Sequence, residues 1–234
     1  MNLVGISGQA HSGKDLVADK LVKSYGFTKM ALADPFKRFG SRVFQFSDQQ
    51  LWGPSQYRNE IDLRYASFNS PIWNKAQENV ENYGRMFVGY VLGESDQKAF
   101  EKLKQWFEDL RANHTKLSPR IMLQMIGSEW GRAYKKDLWI NCLINRASGW
   151  ATPVVVSDIR FKNELEAIKR NGGKVIKLVR PETDGAAQDI GIKGHGSESE
   201  QLGFTDDQFD FILENTGTLD ELFKKVDRIV NKLN

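Results

Sequence analysis

The chain has 234 residues, of which 40% are hydrophobic and 27% are charged, a balance typical of a folded globular protein. Its net charge of only +3 gives no broad basic field for nucleic acid, and no apolar run reaches the roughly 20 residues that a membrane helix needs. The single cysteine, Cys142, cannot form an internal disulfide, and the chain enters its first predicted strand without room for a signal peptide, so we expect a cytoplasmic protein.

The N-terminal stretch has the order strand, glycine-containing loop and helix. Residues 2–7 form a short apolar run typical of a buried parallel strand, and residues 14–25 carry apolar side chains at helical spacing. Residues 8–15 between them have the G-x-x-x-x-G-K pattern of a phosphate-binding loop. Backbone N–H groups, the helix N-terminus and the lysine are therefore expected to bind nucleotide phosphates. The residues that we assign to this site are Gly8, His11, Ser12, Gly13, Lys14 and Asp15.

Asp15 stands where most phosphate loops have the Ser or Thr whose hydroxyl binds magnesium. A carboxylate at this position is either a charged magnesium ligand or an acid that favours the helix N-terminus. We favour the magnesium ligand, because Asp15 follows Lys14 directly and its side chain should face the same phosphates.

The next elements are a short strand and a helix. Residues 27–32 predict the strand, and Asp34 is expected to cap the helix, with Pro35 at its first position. Lys37 in this helix lies near the predicted carboxyl ends of the strands, where open α/β sheets bind ligands. Lys37 is therefore a candidate substrate-binding residue.

The middle of the chain is the least regular part of the sequence, although a helical pattern returns at residues 96–112. We interpret residues 47–117 as a mostly helical insertion packed beside the core. Its arginines fit either a solvated surface or a substrate contact. They include Arg58, Arg64 and Arg85, of which we retain Arg64 as a substrate candidate.

Ser118-Pro119 predicts another helix start, and Gly127 is expected to end that helix. Arg120 lies in the first turn, where the helix dipole does not favour a cation. This placement suggests an anionic ligand, with a surface ion pair as the alternative. A further helix is predicted at about residues 136–147.

Residues 153–157 form the clearest parallel-type strand and lead into Asp158-Ile159-Arg160. A carboxylate at the carboxyl end of a strand beside a phosphate loop suits the organisation of magnesium, and a structural ion pair with Arg160 is the alternative. Further strands are predicted at 174–179 and 209–213, with a closing helix at 218–233. The long polar loop at 182–203 suits a mobile lid.

Several of these stretches resemble the bacteriophage-type deoxynucleoside monophosphate kinases, a branch of the P-loop kinases. The resemblance covers both ends of the chain and rests on short motifs. They are Ser7-Gly8 with Ser12-Gly13-Lys14-Asp15, Arg120 with Gln124 and Gly127-Ser128, Trp139, Asp158-x-Arg160 with Asn163-Glu164, Val179-Arg180-Pro181, and Asn215-Thr216-Gly217-Thr218-Leu219.

The resemblance implies a P-loop kinase-like three-layer α/β fold over residues 1–234, with a parallel sheet flanked by helices. It also implies transfer of the γ-phosphoryl group of ATP, with Mg²⁺, to a deoxynucleoside monophosphate. The implied catalytic residues are Lys14, Asp15, Arg120, Asp158 and Arg160, and Asn215 and Gly217 join the loop in binding ATP. The implied acceptor residues are Lys37, Arg64, Arg120, Gln124, Gly127, Ser128, Trp139, Asp158, Arg160 and Glu164.

Two other functions remain open at this stage. One is a kinase of the same core for another small acceptor, such as dephospho-coenzyme A. The other is a module that binds ATP without catalysis. We expect small-molecule substrates and no nucleic-acid or membrane partner, and a homodimer is left open.

Overall fold

The computed structural model describes residues 3–9, 11–113, 116–180 and 203–233. The chain divides into two compact units: unit 1 comprises Met1–Leu32 and Leu143–Asn234, and unit 2 comprises Ala33–Cys142. The predicted lid at 182–203 lies outside the described residues except for its last residue. Among the described residues, no helix is both long enough and apolar enough to cross a membrane.

Helices account for most of the regular structure. In chain order they are α1 Lys14–Tyr25, α2 Asp34–Phe44, α3 Asp48–Trp52, α4 Ser55–Asn59, α5 Pro71–Leu92, α6 Gln97–Asn113, α7 Pro119–Met125, α8 Leu138–Ser148, α9 Lys162–Arg170 and α10 Leu219–Val230. Short 3₁₀ turns occur at Leu63–Tyr65 and Asp206–Gln208, and a π-helical turn at Ile126–Arg132.

Unit 1 is built on a five-stranded sheet in which every pair of neighbouring strands is parallel. Its order is β2-β3-β1-β4-β5, so the strand before the phosphate loop is central. The strands are β1 Leu3–Ser7, β2 Thr28–Met30, β3 Val154–Ile159, β4 Lys174–Val179 and β5 Phe211–Glu214. The expected parallel α/β sheet is confirmed.

The residues of β1 point alternately to the two faces of this sheet, and their contacts show that helices cover both faces. Val4 and Ile6 belong to one buried cluster with side chains of α1 and α10. Gly5 points to the other face, where a Cβ would lie 2.6 Å from Ile168 of α9. Successive residues of a strand face opposite sides, so the sheet lies between two helical layers. The predicted three-layer architecture is confirmed.

Unit 2 is helical and has an aromatic interior. Its longest helix, α5, was not predicted, because that stretch is rich in Asn, Gln and Tyr, and only one of its faces is apolar. That face buries Trp73 and Phe87, which lie near other aromatic rings of the same unit. The fully buried large aromatic side chains of unit 2 are Trp73, Tyr65, Phe39, Phe44, Phe87, Phe100 and Phe107.

Two predicted helix ends are wrong. The α2 N-cap is Ala33 rather than Asp34, and Ala33 makes no side-chain cap, so Asp34 is the first helical residue. The helix that Ser118 caps does not end at Gly127, because the chain continues as the π-helical turn to Arg132. A glycine permits a helix to end but does not require it, and here tertiary packing continues the helical path.

Candidate active site

The loop between β1 and α1 has the backbone that its glycines predict. A Cβ on Gly8 would lie 2.5 Å from the carbonyl oxygen of Leu178, so only glycine fits there without movement of the backbone. Gly13 has φ 101°, and His11 has φ 62°, a value that is uncommon for a residue with a side chain. Left-handed residues such as these turn successive N–H groups towards a common centre and create an anion-binding concavity.

The side chain of Lys14 folds back towards this loop, and its ammonium group donates a hydrogen bond to the carbonyl oxygen of Gln9. Burial, and then the positive charge of Arg160, lowers the pKa of Lys14 to about 8, against opposing effects of Asp15 and Asp158. Arg160, Asp15 and Asp158 therefore all lie within electrostatic reach of Lys14.

Two polar side-chain atoms of the loop are buried without a hydrogen-bond partner among the described residues. They are Oγ of Ser12, whose side chain is 1% exposed, and Oε1 of Gln9. A buried polar atom without a partner costs about 1–3 kcal/mol. Such atoms beside inward-facing N–H groups are consistent with a loop shaped for a polar ligand.

Asp15 has two protein partners, and both bind the same carboxylate oxygen. The Lys29 ammonium group donates to Oδ1 at 2.8 Å, and the Ser157 hydroxyl donates to it at 3.2 Å. Although partial burial raises the pKa of Asp15, the hydrogen bond and charge of Lys29, then Ser157 and Lys14, hold it below its usual value. The carboxylate is therefore ionised at neutral pH.

The end of β3 and the start of α9 bring three predicted residues to this part of unit 1. Asp158 accepts a hydrogen bond from the backbone N–H of Leu32 at 3.4 Å. Glu164 is buried and accepts from the backbone N–H groups of Arg160 and Phe161 at 2.9 and 3.0 Å, so its carboxylate shapes the turn. The guanidinium of exposed Arg160 makes no hydrogen bond or ion pair within the described part of the chain.

Asn215 supports the phosphate loop through its side-chain amide. Its side-chain amide donates to the carbonyl oxygen of Ser12 at 2.9 Å, and a Cβ on Gly13 would lie 2.8 Å from the same amide nitrogen. The neighbouring Gly217 precedes a capping box in which Thr218 and Glu221 exchange hydrogen bonds. Asn215 is thus in direct contact with the loop.

Unit 2 contains a second group of predicted residues around the π-helical turn. The Trp139 indole donates a hydrogen bond to the carbonyl oxygen of Gly127 at 2.8 Å. Its ring lies edge to face with the ring of Phe36, with 4.8 Å between the ring centroids. A Cβ on Gly131 would overlap this indole. Gln124, from α7, has a buried Oε1 atom without a described hydrogen-bond partner. Ser128 lies within the same turn.

Arg64 is fixed by a carboxylate that the sequence did not indicate. Asp62, whose side chain is 7% exposed, accepts hydrogen bonds from Nε and Nη2 of Arg64 at 2.9 and 2.6 Å. Nη2 also donates to the carbonyl oxygen of Gln45, which leaves Nη1 without a described partner. This pair lines an open groove of about 500 Å³.

The other basic residues of unit 2 that the sequence analysis named differ in their contacts. Arg120 donates to the side chain of Asn59, and Lys37 lies partly exposed on α2. Arg58 donates to the carbonyl oxygens of Leu51 and Gly53, and Arg85 contacts the ring of Phe100. The contacts of Arg58 and Arg85 are therefore structural.

The structure also identifies residues that the sequence did not reveal. Lys29, Ser157 and Asp62 belong to no sequence motif. Lys29 and Ser157 reach Asp15 only when separate segments meet, whereas Asp62 binds Arg64 two residues further on. The alternation of β2, with Met30 buried and Lys29 exposed, was the only available signal. Within the described residues, no group of three or more His, Cys, Asp or Glu side chains could hold a metal ion.

Comparisons with known proteins point in one direction. A family model described as deoxynucleotide monophosphate kinase matches residues 2–226. A putative deoxynucleotide monophosphate kinase of Acanthamoeba polyphaga mimivirus is 26% identical over 241 residues, covering 97% of this chain and 94% of that one. The deoxynucleotide monophosphate kinase of Enterobacteria phage T4 is 24% identical over 255 residues, covering 97% of each.

Two solved structures align with this chain at lower sequence identity than these relatives. TT1252 from Thermus thermophilus aligns with a TM-score of 0.46 and 17% identity, covering 100% of this chain and 98% of that one. Dephospho-CoA kinase from Campylobacter jejuni aligns with a TM-score of 0.40 and 12% identity, covering 100% and 97%.

Proposed function

The chain belongs to the deoxynucleotide monophosphate kinase family and is a nucleotide kinase, and we propose that it transfers the γ-phosphoryl group of ATP to a deoxynucleoside monophosphate. The observation that carries the proposal is the cluster at the loop between β1 and α1, where Asp15, Asp158 and Arg160 lie within electrostatic reach of Lys14. Phosphoryl transfer requires positioned positive charge more than covalent chemistry, and this cluster supplies it.

The donor nucleotide is assigned to the loop of unit 1. Backbone N–H groups of residues 8–13 and the N-terminus of α1 would bind the β- and γ-phosphates. Lys14 would exchange its hydrogen bond with the Gln9 carbonyl for the phosphate oxygens. Because bound phosphate offsets the effects of burial and Arg160, it should raise the pKa of Lys14 and keep that side chain charged.

Magnesium fits the surroundings of Asp15. The carboxylate is exposed and ionised, and its Oδ2 atom has no partner among the described residues. Kinase magnesium sites combine one or two carboxylates with phosphate oxygens and water. When bound, Mg²⁺ would offset negative charge on the phosphates. Asp15 would hold it directly or through water, and we assign to Asp158 a supporting position at the carboxyl end of β3.

Candidates for binding the acceptor are given for each unit separately: Arg160 in unit 1, and several side chains in unit 2. Arg160 offers an exposed guanidinium whose planar donors match phosphate oxygens. Arg64 is oriented by Asp62 and keeps Nη1 for a ligand. Arg120, Lys37 and Gln124 are further candidates, and Gln124 offers a buried acceptor atom to a base. Within unit 2, Trp139, Gly127 and Ser128 are further candidates, and within unit 1 Glu164 would hold the turn that carries Arg160.

Cys142 is the one cysteine of the sequence and is buried, which suits a reducing compartment, and we propose that the reaction takes place in the cytoplasm.

The test is a coupled ATP-consumption assay with the common ribo- and deoxyribonucleoside monophosphates and with dephospho-coenzyme A as separate acceptors. We expect turnover with one or more deoxynucleoside monophosphates and none with dephospho-coenzyme A. Arg160→Ala should retain ATP binding and lose acceptor affinity or turnover, whereas Arg170→Ala, at the exposed C-terminal end of α9, should behave as wild type. ATP binding without consumption in the presence of any acceptor would contradict the proposal.

A further inference from the structure

Asp15 is held asymmetrically. Lys29 and Ser157 both donate to Oδ1, at 2.8 and 3.2 Å, whereas Oδ2 has no partner in the described part of the chain. A carboxylate held at one oxygen by a cation and a hydroxyl has a fixed direction. The other oxygen is then available to a ligand from solvent, to which 80% of the Asp15 side chain is exposed.

Lys29 reaches Asp15 from a different element. It lies on β2, the edge strand next to β3, and its ammonium group also contacts Oδ1 of Asp19 at 3.1 Å. Asp15 and Asp19 are one turn apart on α1 and therefore lie on the same helical face. Ser157 comes from β3 and is buried, so the oxygen that it shares with Lys29 is fixed by the sheet itself.

An ordinary exposed ion pair contributes little to stability. This pair has a different setting, because Asp15 directly follows the lysine of the phosphate loop. A carboxylate there repels a triphosphate unless positive charge offsets it. Two lysines adjoin it: Lys14, within electrostatic reach, and Lys29, in direct contact.

We propose that Lys29 is a positioning residue for nucleotide and magnesium binding, which holds Asp15 through Oδ1, directs Oδ2 to the metal and offsets the carboxylate charge when no metal is present. This inference rests on the proposed function, since it assumes that the loop binds a nucleotide. Ser157 assists by fixing the same oxygen. Lys29 itself touches neither phosphate nor metal in this scheme.

Removal of Lys29 should therefore affect metal-free and metal-bound nucleotides differently. Without Mg²⁺, the uncompensated Asp15 carboxylate should weaken nucleotide binding by about tenfold, the effect of one exposed charge several ångströms from a phosphate. With saturating Mg²⁺ the loss should be much smaller, because the metal then supplies the missing positive charge. The ratio of the two affinities is the quantity to measure.

The experiment titrates the protein with a fluorescent ADP analogue in EDTA and in excess MgCl₂. The variants are Lys29→Met, Lys29→Arg, Asp15→Asn and the double variant with Lys29→Met and Asp15→Asn. Lys23→Met is the matched control, because it removes one exposed lysine from the far end of α1 and gives the same change in net charge. Thermal denaturation of each variant monitors folding.

We expect Lys29→Met to raise the ratio of the dissociation constant in EDTA to that in MgCl₂ by about tenfold, with Lys29→Arg near wild type. The effect should disappear in the Asp15→Asn background, as coupling through Asp15 requires. An unchanged ratio, or an equal loss in that background, overturns the inference and leaves the proposed function intact. No binding by folded wild-type protein overturns both.

Discussion

Replacement of Lys14 by methionine should stabilise the nucleotide-free protein while it abolishes turnover. Burial of the ammonium group, and then the positive charge of Arg160, lowers its pKa to about 8. At neutral pH the folded protein must therefore keep a charge that its surroundings disfavour. Methionine fills a similar volume without that charge. A purely structural lysine would behave in the opposite way, because its loss would remove favourable contacts.

The pKa shift sets the size of the effect. A change from 10.5 to about 8 corresponds to about 3 kcal/mol, at about 1.4 kcal/mol per unit. Solvent screening at this incompletely buried site reduces the expected gain to about 1–2 kcal/mol. A chain of this size gains roughly 2–4 °C in Tm per kcal/mol, so Lys14→Met should melt about 3–6 °C higher than wild type.

The pH dependence of this difference identifies its cause. Between the folded and unfolded pKa values, Lys14 is protonated in the unfolded chain and largely neutral in the folded one. The stability of wild-type protein relative to Lys14→Met therefore rises with pH from about 8 towards 10.5. The advantage of the variant should fall by more than half between pH 7 and pH 9.5.

The assay is thermal unfolding without nucleotide at these two pH values, with Lys23→Met as the exposed-lysine control on the same helix. Turnover is measured in parallel and should fall by orders of magnitude, because in the proposed mechanism Lys14 neutralises charge that moves during transfer. A variant less stable than wild type at pH 7, or a difference that does not vary with pH, would refute this reasoning.

Three further predictions concern groups around the two candidate regions. Asn215→Ala removes the hydrogen bond to the Ser12 carbonyl, so it should lower stability by about 1 kcal/mol and weaken nucleotide binding in a fluorescence titration. Asp62→Asn should lower the free energy of unfolding at neutral pH. That free energy should then fall less steeply than in wild type between pH 7 and pH 3, as measured by urea unfolding. Burial raises the pKa of Asp62, but Arg64 and Gln50 outweigh burial and depress it, so its contribution is present above the unfolded pKa and is lost as pH falls through the folded one. Gly131→Ala should cost about 1–3 kcal/mol by overpacking against Trp139, and an unchanged Tm would show that the indole can move aside.

The fold of unit 1 could be predicted because its signals are local. The apolar run of β3, the loop pattern before Lys14 and the Thr218 cap each specify a structure within a few residues. Unit 2 was harder to predict, because its long helix α5 carries many polar residues and is fixed by aromatic packing. The extension of α7 into a π-helical turn likewise depends on packing, which the sequence pattern does not reveal.

Some residues of the candidate site could likewise be predicted from a local sequence motif, and others could not. Lys14 and Asp15 follow from one contiguous motif, whereas Asp158 and Arg160 required the assumption that β3 lies beside β1, which the sheet order confirms. Lys29 and Asp62 could not be predicted. Lys29 gains its significance from a carboxylate on another element, and Asp62 from the guanidinium of Arg64 two residues further on. An isolated lysine or aspartate in a sequence is most often a surface residue.

The phosphate loop concentrates several unfavourable features in a few residues. His11 has a left-handed backbone, Oγ of Ser12 is buried without a described partner, and Lys14 is charged at neutral pH despite a lowered pKa. Each would cost about 1–3 kcal/mol alone, and a bound phosphate would offset the last two by accepting from the hydroxyl and the ammonium group. These features therefore differ from ordinary packing defects, because one type of ligand relieves two of them. We propose that the loop is preorganised for phosphate at the expense of the stability of the free protein. On this proposal, removal of Lys14 should stabilise the fold while it ends activity.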